Sequence, residues 1–529
     1  MWMVKAGVDF DGIEQGRIAL KMAPDVGESR RVFPTNCPSR HTEVDSGRQR
    51  IVWNIRVQHP SLCGNGGISG DAQVTHSSRQ TGRLSVADQE SPLRRLAPES
   101  FHNLPRVSNK AATLGVCLLL CGCIHNPAAT RSARHMSYWE ALSELYPADA
   151  VSAARTDAER EFADALGDLM LGHIEIAEER FAKLRQTAND SIIRAGSRVV
   201  YTATLQYQEK WQALAALKKE HPQKTESHDR ASIELWADAF SKLPPKKFIF
   251  RTSQSRVMMS MSAVGTPLVP VKIAGKEYNF WLDTGSSLTM LASDVARDLN
   301  IQPLVSDTLE IVTSTGRVKA QPIVIPQLQL GPLVVENAPS MIVDETMMQM
   351  REPESMLLAK QVKIDGIIGF DIIRQLDLEL DYGDGLIRLR DPSTSRPERD
   401  RNMFWVGLPV IRMSSVDGIP LHFGLDTGAQ VTFVTETLLD KLQLMPARIE
   451  SRRVGGLGGE ISMRAPVMPD VRLLVRGYPI IFRGAAVRAP VYQVLASLDG
   501  VLGGDIWNSG IVRIDITNGV FAIRRPREN

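Results

Sequence analysis

Two kinds of hydrophobic spacing divide the chain. Over 137–245, apolar residues recur at three- and four-residue steps. Phe162, Ala165, Leu166 and Leu169 form one such series, and Ile174, Ala177, Phe181 and Leu184 the next. Each is one face of an amphipathic helix. Gly172 lies between them, where a helix-ending glycine belongs. Pro244 and Pro245 close the stretch, since consecutive prolines do not continue a helix. Beyond 246 the spacing becomes strand-like. Residues 269–282 read as a strand, a turn at 274–276 and a second strand. Residues 408–425 repeat this, with Asp417 and Gly418 as the turn. A short helix is expected after each, over 293–299 and 435–442, and strands return over 364–389 and from 511. Residues 341–356 are rich in Met and charge and read as an inserted surface loop. The expectation is a small all-α domain over 137–245, then a mainly β half in two repeats, 246–395 and 396–529. A polar, Pro-flanked stretch at 392–401 joins them.

The first 105 residues carry neither period. They are polar and rich in Arg, Ser, Gly and Pro. Two readings stand: a disordered arm, or an upstream extension from a start codon set too early. The next residues favour the second. Arg106 and Lys110 precede an apolar run over 111–123. A basic stretch followed by about 7–15 apolar residues makes a secretion signal. The run is shorter than the roughly 20 residues that span a bilayer. Its end, Leu120, Cys121, Gly122, Cys123, resembles a bacterial lipobox. That resemblance implies lipidation of Cys123, and an exported protein held by its lipid at a membrane of the periplasm or outer membrane. Cys121 departs from the small or branched residue usual there. Plain secretion with cleavage near Cys123, and a buried core segment, are the alternatives. Residues 124–136 read as a tether.

The repeats carry the candidate chemistry. Residues 280–286 read Phe-Trp-Leu-Asp-Thr-Gly-Ser, and 423–429 read Phe-Gly-Leu-Asp-Thr-Gly-Ala, 143 residues later. A strand running into Asp-Thr-Gly is by itself an ordinary turn. Here each is followed by Asp-Gly-apolar-apolar-Gly-x-Asp, at 365–371 and at 499–505. A duplication of both motifs marks an internal repeat.

Asp-Thr-Gly followed by apolar-apolar-Gly resembles the aspartic protease superfamily, in particular the retropepsin-like proteases. The resemblance covers roughly residues 255–525 and implies two β-barrel units facing across a pseudo-two-fold axis in one chain. It implies that Asp283 and Asp426 form a catalytic dyad acting on peptide or protein substrates. Thr284 and Thr427 match the family's buried threonines, which cross-link the two loops. Gly285 and Gly428 match the glycines that let the backbone pass tightly under the carboxylates. Gly369 and Gly503 belong to the segments beneath. Ser286 matches a serine whose hydroxyl steadies one aspartate. Ala429 cannot do so, so the hydrogen bonding around the dyad is expected to be asymmetric. The hairpin tips with Thr315 and Gly316, and with Gly456 and Gly458, match the flaps that close over substrate. The glycine-rich second tip is expected to be the more mobile. The helical stretch shows part of the tetratricopeptide spacing at Gly172, Ala177 and Phe181, with an echo at Trp211, Ala213 and Leu217. A partner-docking role and a spacer or packed lobe both remain open for it.

Composition narrows the alternatives. A net charge of +2 gives no electrostatic ground for a nucleic-acid partner. All five cysteines (Cys37, Cys63, Cys117, Cys121, Cys123) precede the repeats, so no thiolate metal site is expected there. The ten histidines show no metal-ligand spacing, and no cofactor is expected. The glycines at 455–459 are not followed by the Lys-Ser/Thr of a phosphate loop. Two carboxylates that share one proton suit hydrolysis by activated water. The expected activity is that of an aspartic endopeptidase. The alternative is a catalytically silent, peptide-binding relative, since fold alone does not prove activity. A two-carboxylate glycosidase would leave the duplicated Thr-Gly unexplained.

Overall fold

The computed structural model describes residues 2–3, 136–220, 233–262, 266–350, 362–397, 399–488, 496–507 and 510–525. They fall in one compact unit. The expected leader and Cys123 lie outside the described residues.

The helical period produces helices α1 (Tyr138–Ser143), α2 (Pro147–Ala153), α3 (Asp157–Leu171), α4 (Ile174–Thr187), α5 (Ser191–Tyr207), α6 (Trp211–Glu220) and α7 (Ile233–Phe240). Ser137 and Thr156 begin α1 and α3 as reciprocal caps. Each hydroxyl accepts from the N–H three residues on, and the Glu there accepts from the cap's own N–H. Gly172 ends α3 at φ 83°, a left-handed value that an L-side chain rarely takes. The two predicted apolar faces are buried against each other, and the Phe162 and Phe181 rings meet edge to face at 5.3 Å. Consecutive helices pack on one another. The group then packs on both β repeats. The Ser497 N–H donates to the Ser143 carbonyl at 2.6 Å. Tyr146 meets the buried His422 ring at 5.7 Å. Glu209, just after α5, pairs with Arg374 at 3.0 Å. Among the described residues no helix is long and apolar enough to cross a membrane.

Among the described residues the strands form two ten-stranded sheets, one per repeat, a five-stranded sheet that joins the repeats, and a two-stranded pair of Gln349–Met350 with Val362–Lys363. Each ten-stranded sheet contains the same core. Strand Lys276–Leu282 lies parallel to Gly366–Ile368, with Phe280 opposite Gly366. Strand Pro420–Leu425 lies parallel to Gly500–Leu502, with Phe423 opposite Gly500. These short strands are buried on both faces, which is why their sequences run apolar rather than alternating. Residues 2–3 pair at the edge of the first sheet with Val312 and Thr313. The shared sheet runs Val520–Arg524, Ile511–Asp515, Asp377–Asp381, Leu386–Arg390, Gln254–Met258. Its central pairing joins the two repeats, Leu378 opposite Ile514 and Leu380 opposite Val512. The predicted class, two barrel-like β repeats with an N-terminal helical region, is the architecture found.

Two local expectations need correction. The Met-rich stretch is not simply a surface loop. Met341 continues strand Leu333–Val343, pairs in parallel with Met290 and is buried. Met348 is buried near Trp281 and Leu457. Residues 351–361 of that stretch lie outside the described residues. The segment after Gly369 is also not all strand. Phe370–Ile373 is a short helix, because the Gly369 carbonyl accepts from the N–H of Ile373.

Candidate active site

The parallel strand pairs carry Asp283 and Asp426 to one place. The Asp283 N–H donates to the Ile368 carbonyl at 3.0 Å, and the Asp426 N–H to the Leu502 carbonyl at 3.1 Å. Each aspartate therefore rests on the Gly segment of its own repeat. The threonines then cross between repeats. The Thr284 N–H donates to Thr427 Oγ1 at 3.0 Å, and the Thr427 N–H to Thr284 Oγ1 at 2.9 Å. Each hydroxyl donates onward, Thr284 to the Leu425 carbonyl at 3.0 Å and Thr427 to the Leu282 carbonyl at 2.8 Å. Gly285 and Gly428 are crossed as well. A β-carbon at Gly285 would stand 2.8 Å from the Asp426 carboxyl carbon, and one at Gly428 2.5 Å from that of Asp283. Any larger residue would displace a carboxyl of the other repeat.

The two carboxyls are held alike. Asp283 Oδ1 accepts from the N–H groups of Gly285 (2.8 Å) and Ser286 (3.2 Å). Asp426 Oδ1 accepts from Gly428 (3.0 Å) and Ala429 (2.9 Å). The expected asymmetry is absent. Ser286 Oγ donates instead to the Leu288 carbonyl at 2.8 Å, closing its own loop, while its backbone N–H serves the aspartate as that of Ala429 does. Among the described residues Asp283 Oδ2 has no donor outside the pair, and Asp426 is set against it. Asp283 and Asp426 are 0% and 1% exposed, so water does little to screen one carboxyl from the other. Burial, and then the Asp426 charge, push the Asp283 carboxyl up to about 7, against the pull of the Gly285 N–H.

Gly369 and Gly503 lie beneath, where a β-carbon would meet the backbone of Leu288 and Val431 at 2.5 and 2.7 Å. A support under them is duplicated too, and the motif reading missed it. Thr289 Oγ1 accepts from the Gly369 N–H at 3.2 Å and donates to Asp371 at 2.9 Å. Thr432 Oγ1 accepts from the Gly503 N–H at 2.9 Å and donates to Asp505 at 2.7 Å. The signal was present, since each Thr stands six residues after its Asp-Thr-Gly aspartate. Asp371 is also bound by Lys246 at 3.0 Å, and no sequence motif announced that. Among the described residues no group of three or more His, Cys, Asp or Glu is placed to hold a metal ion.

The hairpin tips expected as flaps meet each other. Thr313 Oγ1 accepts from the N–H groups of Thr315 and Gly316 at 3.1 and 2.9 Å, which shapes the first tip. Thr315 Oγ1 donates to the Leu457 carbonyl of the second tip at 2.7 Å. Leu457 is buried beside Trp281 and Met348, and the Gly458 N–H donates to the Met347 carbonyl at 3.2 Å. A β-carbon at Gly456 would press on Ser314 Oγ at 2.6 Å. The glycine-rich tip, expected to be the looser one, is thus tied down by the first repeat.

This geometry can be set beside known families. An aspartyl protease family model matches the chain twice, over residues 269–372 and 413–506. Each match contains one Asp-Thr-Gly and its Gly segment. The β half therefore carries a protease-type fold in duplicate. The matches do not extend to helices α1–α7. A comparison with curated proteins finds no match.

The threonine crossing makes a stability prediction. Thr284→Val keeps the shape but orphans the buried Thr427 N–H and removes the donor to Leu425, at a cost of about 1–3 kcal/mol per unsatisfied group. Thr284→Ser keeps both bonds. In urea unfolding, Thr284→Val should move the midpoint down clearly and Thr284→Ser only slightly. Equal midpoints would show that the crossing carries little.

Proposed function

We propose that the chain is an aspartic endopeptidase whose dyad is Asp283 and Asp426. The observation that carries this reading is the pair itself: two buried carboxyls, one from each repeat, each steadied by two backbone N–H groups and facing one another. Like charges this close do not both ionise, so one proton is kept by the pair. A water bound between them gives a proton to the ionised carboxylate and adds its oxygen to the peptide carbonyl carbon. The protonated carboxyl gives its proton to the carbonyl oxygen. The resulting gem-diol collapses: one of its hydroxyls returns a proton to the carboxylate that had protonated the carbonyl, the C–N bond breaks, and the leaving nitrogen takes the proton that the other carboxyl gained from water, so two peptides depart and the pair again holds one proton. The proton belongs to the pair, so neither residue is assigned as acid or base. Hairpin tips that meet as these do would, acting as flaps, hold an extended substrate and exclude bulk water.

Three outcomes follow from one shared site in one chain. Asp283→Asn and Asp426→Asn should each abolish cleavage of a mixed peptide library read by mass spectrometry, with the fold intact. The losses should be similar and not additive, because the two act as a unit. Mixing the two variants should restore nothing; restoration would mean that sites form between chains. Full activity in either variant would contradict the dyad. A chain that binds peptides and cuts none would support the silent, peptide-binding alternative.

The raised Asp283 carboxyl adds a pH dependence. Activity needs the shared proton and should fall as pH rises through about 7. Stability moves the same way. The folded value lies above the ordinary carboxyl value of 3.8, so the unfolded chain releases the proton first. The contribution to folding is whole below pH 3.8 and is lost as pH rises through about 7. Thermal melts of Asp283→Asn should lack this part of the fall. An unchanged pH profile in that variant would contradict it.

A further inference from the structure

We propose that helix α5 forms the end wall of a side-chain pocket beside the dyad, and that Ala203 and Tyr207 make this pocket select an uncharged, apolar side chain of the bound peptide. The inference rests on the peptidase reading for what the bound chain is, but its geometry stands apart from catalysis. A cavity of about 80 Å³ is lined by Gly285 and Asp426, by Ala203 and Tyr207 of α5 and by Trp405 and Leu408, and the charged Glu209, Asp371 and Arg374 also line it. One water needs about 10–15 Å³ measured this way, so the space suits a side chain of several carbons.

The wall is built rather than incidental. The Tyr207 ring lies 4.3 Å from that of Trp405 at the start of the second repeat. The Arg374 guanidinium covers the Tyr207 ring at 4.3 Å, a cation–π contact. Arg374 pairs with Glu209 at 3.0 Å, Glu209 with Lys246 at 2.5 Å, and Lys246 with Asp371 at 3.0 Å. This chain of ion pairs joins α5 to the Thr289 hydroxyl beneath Gly369. Arg374, Glu209 and Asp371 reach the cavity with their charges engaged in these pairs, and Lys246 lies outside its lining. A charged side chain entering the pocket would lose its water and find these groups already paired. Residues 203–207 lie outside both family matches, as do Arg374, Trp405 and Leu408. Ala203 and Tyr207 thus bring the helical region into this pocket.

The test uses the full chain with Asp283→Asn and Asp426→Asn together, which cannot cut and so reports binding alone. The probe is a mixture of acetylated octapeptides with randomised positions, and retained peptides are sequenced by mass spectrometry. The expected result is an apolar or aromatic preference at a single register position. Ala203→Leu fills the cavity with a good helix former and should reduce retention of large side chains there by about tenfold or more. Tyr207→Ala should admit larger ones, and neither change should alter preferences at other positions. The same preference in both variants, no preference at any position, or no retained peptide would overturn the inference. Should Tyr207→Ala fail to fold, Ala203→Leu decides alone. Cleavage of the same mixture by the unsubstituted chain is scored separately. Selective binding without cleavage would sink the peptidase reading and leave this one standing.

Discussion

Thr284 and Thr427 exchange hydrogen bonds across the junction of the repeats, and the position of both carboxyls depends on that exchange. Each threonine uses its N–H and its hydroxyl on the other repeat. Both are buried, so no water replaces a lost partner. The crossing fixes the two Asp-Thr-Gly loops against each other, and Gly285 and Gly428 let the carboxyls approach from opposite sides. Neither repeat alone contains these bonds. The shared sheet reinforces the same junction through strands Asp377–Asp381 and Ile511–Asp515.

With the loops fixed, electrostatics follows from burial. Two carboxyls placed out of water would repel and be poorly solvated. The structure answers with backbone dipoles, two N–H groups on one oxygen of each, and leaves the remaining oxygens to the pair. In the proposed dyad, one shared proton would satisfy what the dipoles do not. The support below differs between repeats. Asp505 is held by the Thr432 N–H and hydroxyl, whereas Asp371 takes the Thr289 hydroxyl and Lys246 and, through Lys246, Glu209 after α5. The helical region is therefore tied to the first repeat through Glu209, and to the second by the Glu144–Lys441 ion pair at 3.5 Å, the Tyr207–Trp405 contact and the Ser143–Ser497 hydrogen bond.

Much of this was legible in the sequence because it was written twice. Asp283 and Asp426, their Thr-Gly partners, and Gly369 and Gly503 stand at matching places, and the chain brings them together. The helical faces through Phe162 and Phe181 were legible for another reason, since the apolar spacing of a helix is local. What escaped was non-local or ambiguous. Glu209, Lys246, Asp371 and Arg374 come from three distant stretches, and no spacing relates them. Ser286 looked like a partner for Asp283, but its hydroxyl finds a nearer acceptor in the Leu288 carbonyl. Met341 and Met348 resembled surface residues by composition, and packing against the neighbouring strand and the second hairpin tip buries them. Thr289 and Thr432 were visible as a repeated offset, yet a threonine in a strand-rich segment carries no mark of what it supports.

The central claim is that Asp283 and Asp426 hold one proton between them. The direct measurement is a carbon-13 NMR titration of the labelled aspartate carboxyl carbons in the full chain and in Asp426→Asn. The account predicts that the Asp283 carboxyl carbon titrates near pH 7 in the unsubstituted chain, and that its midpoint moves down when the neighbouring charge is removed. A carboxyl that titrates near 3.8 in both chains, indifferent to residue 426, would contradict it.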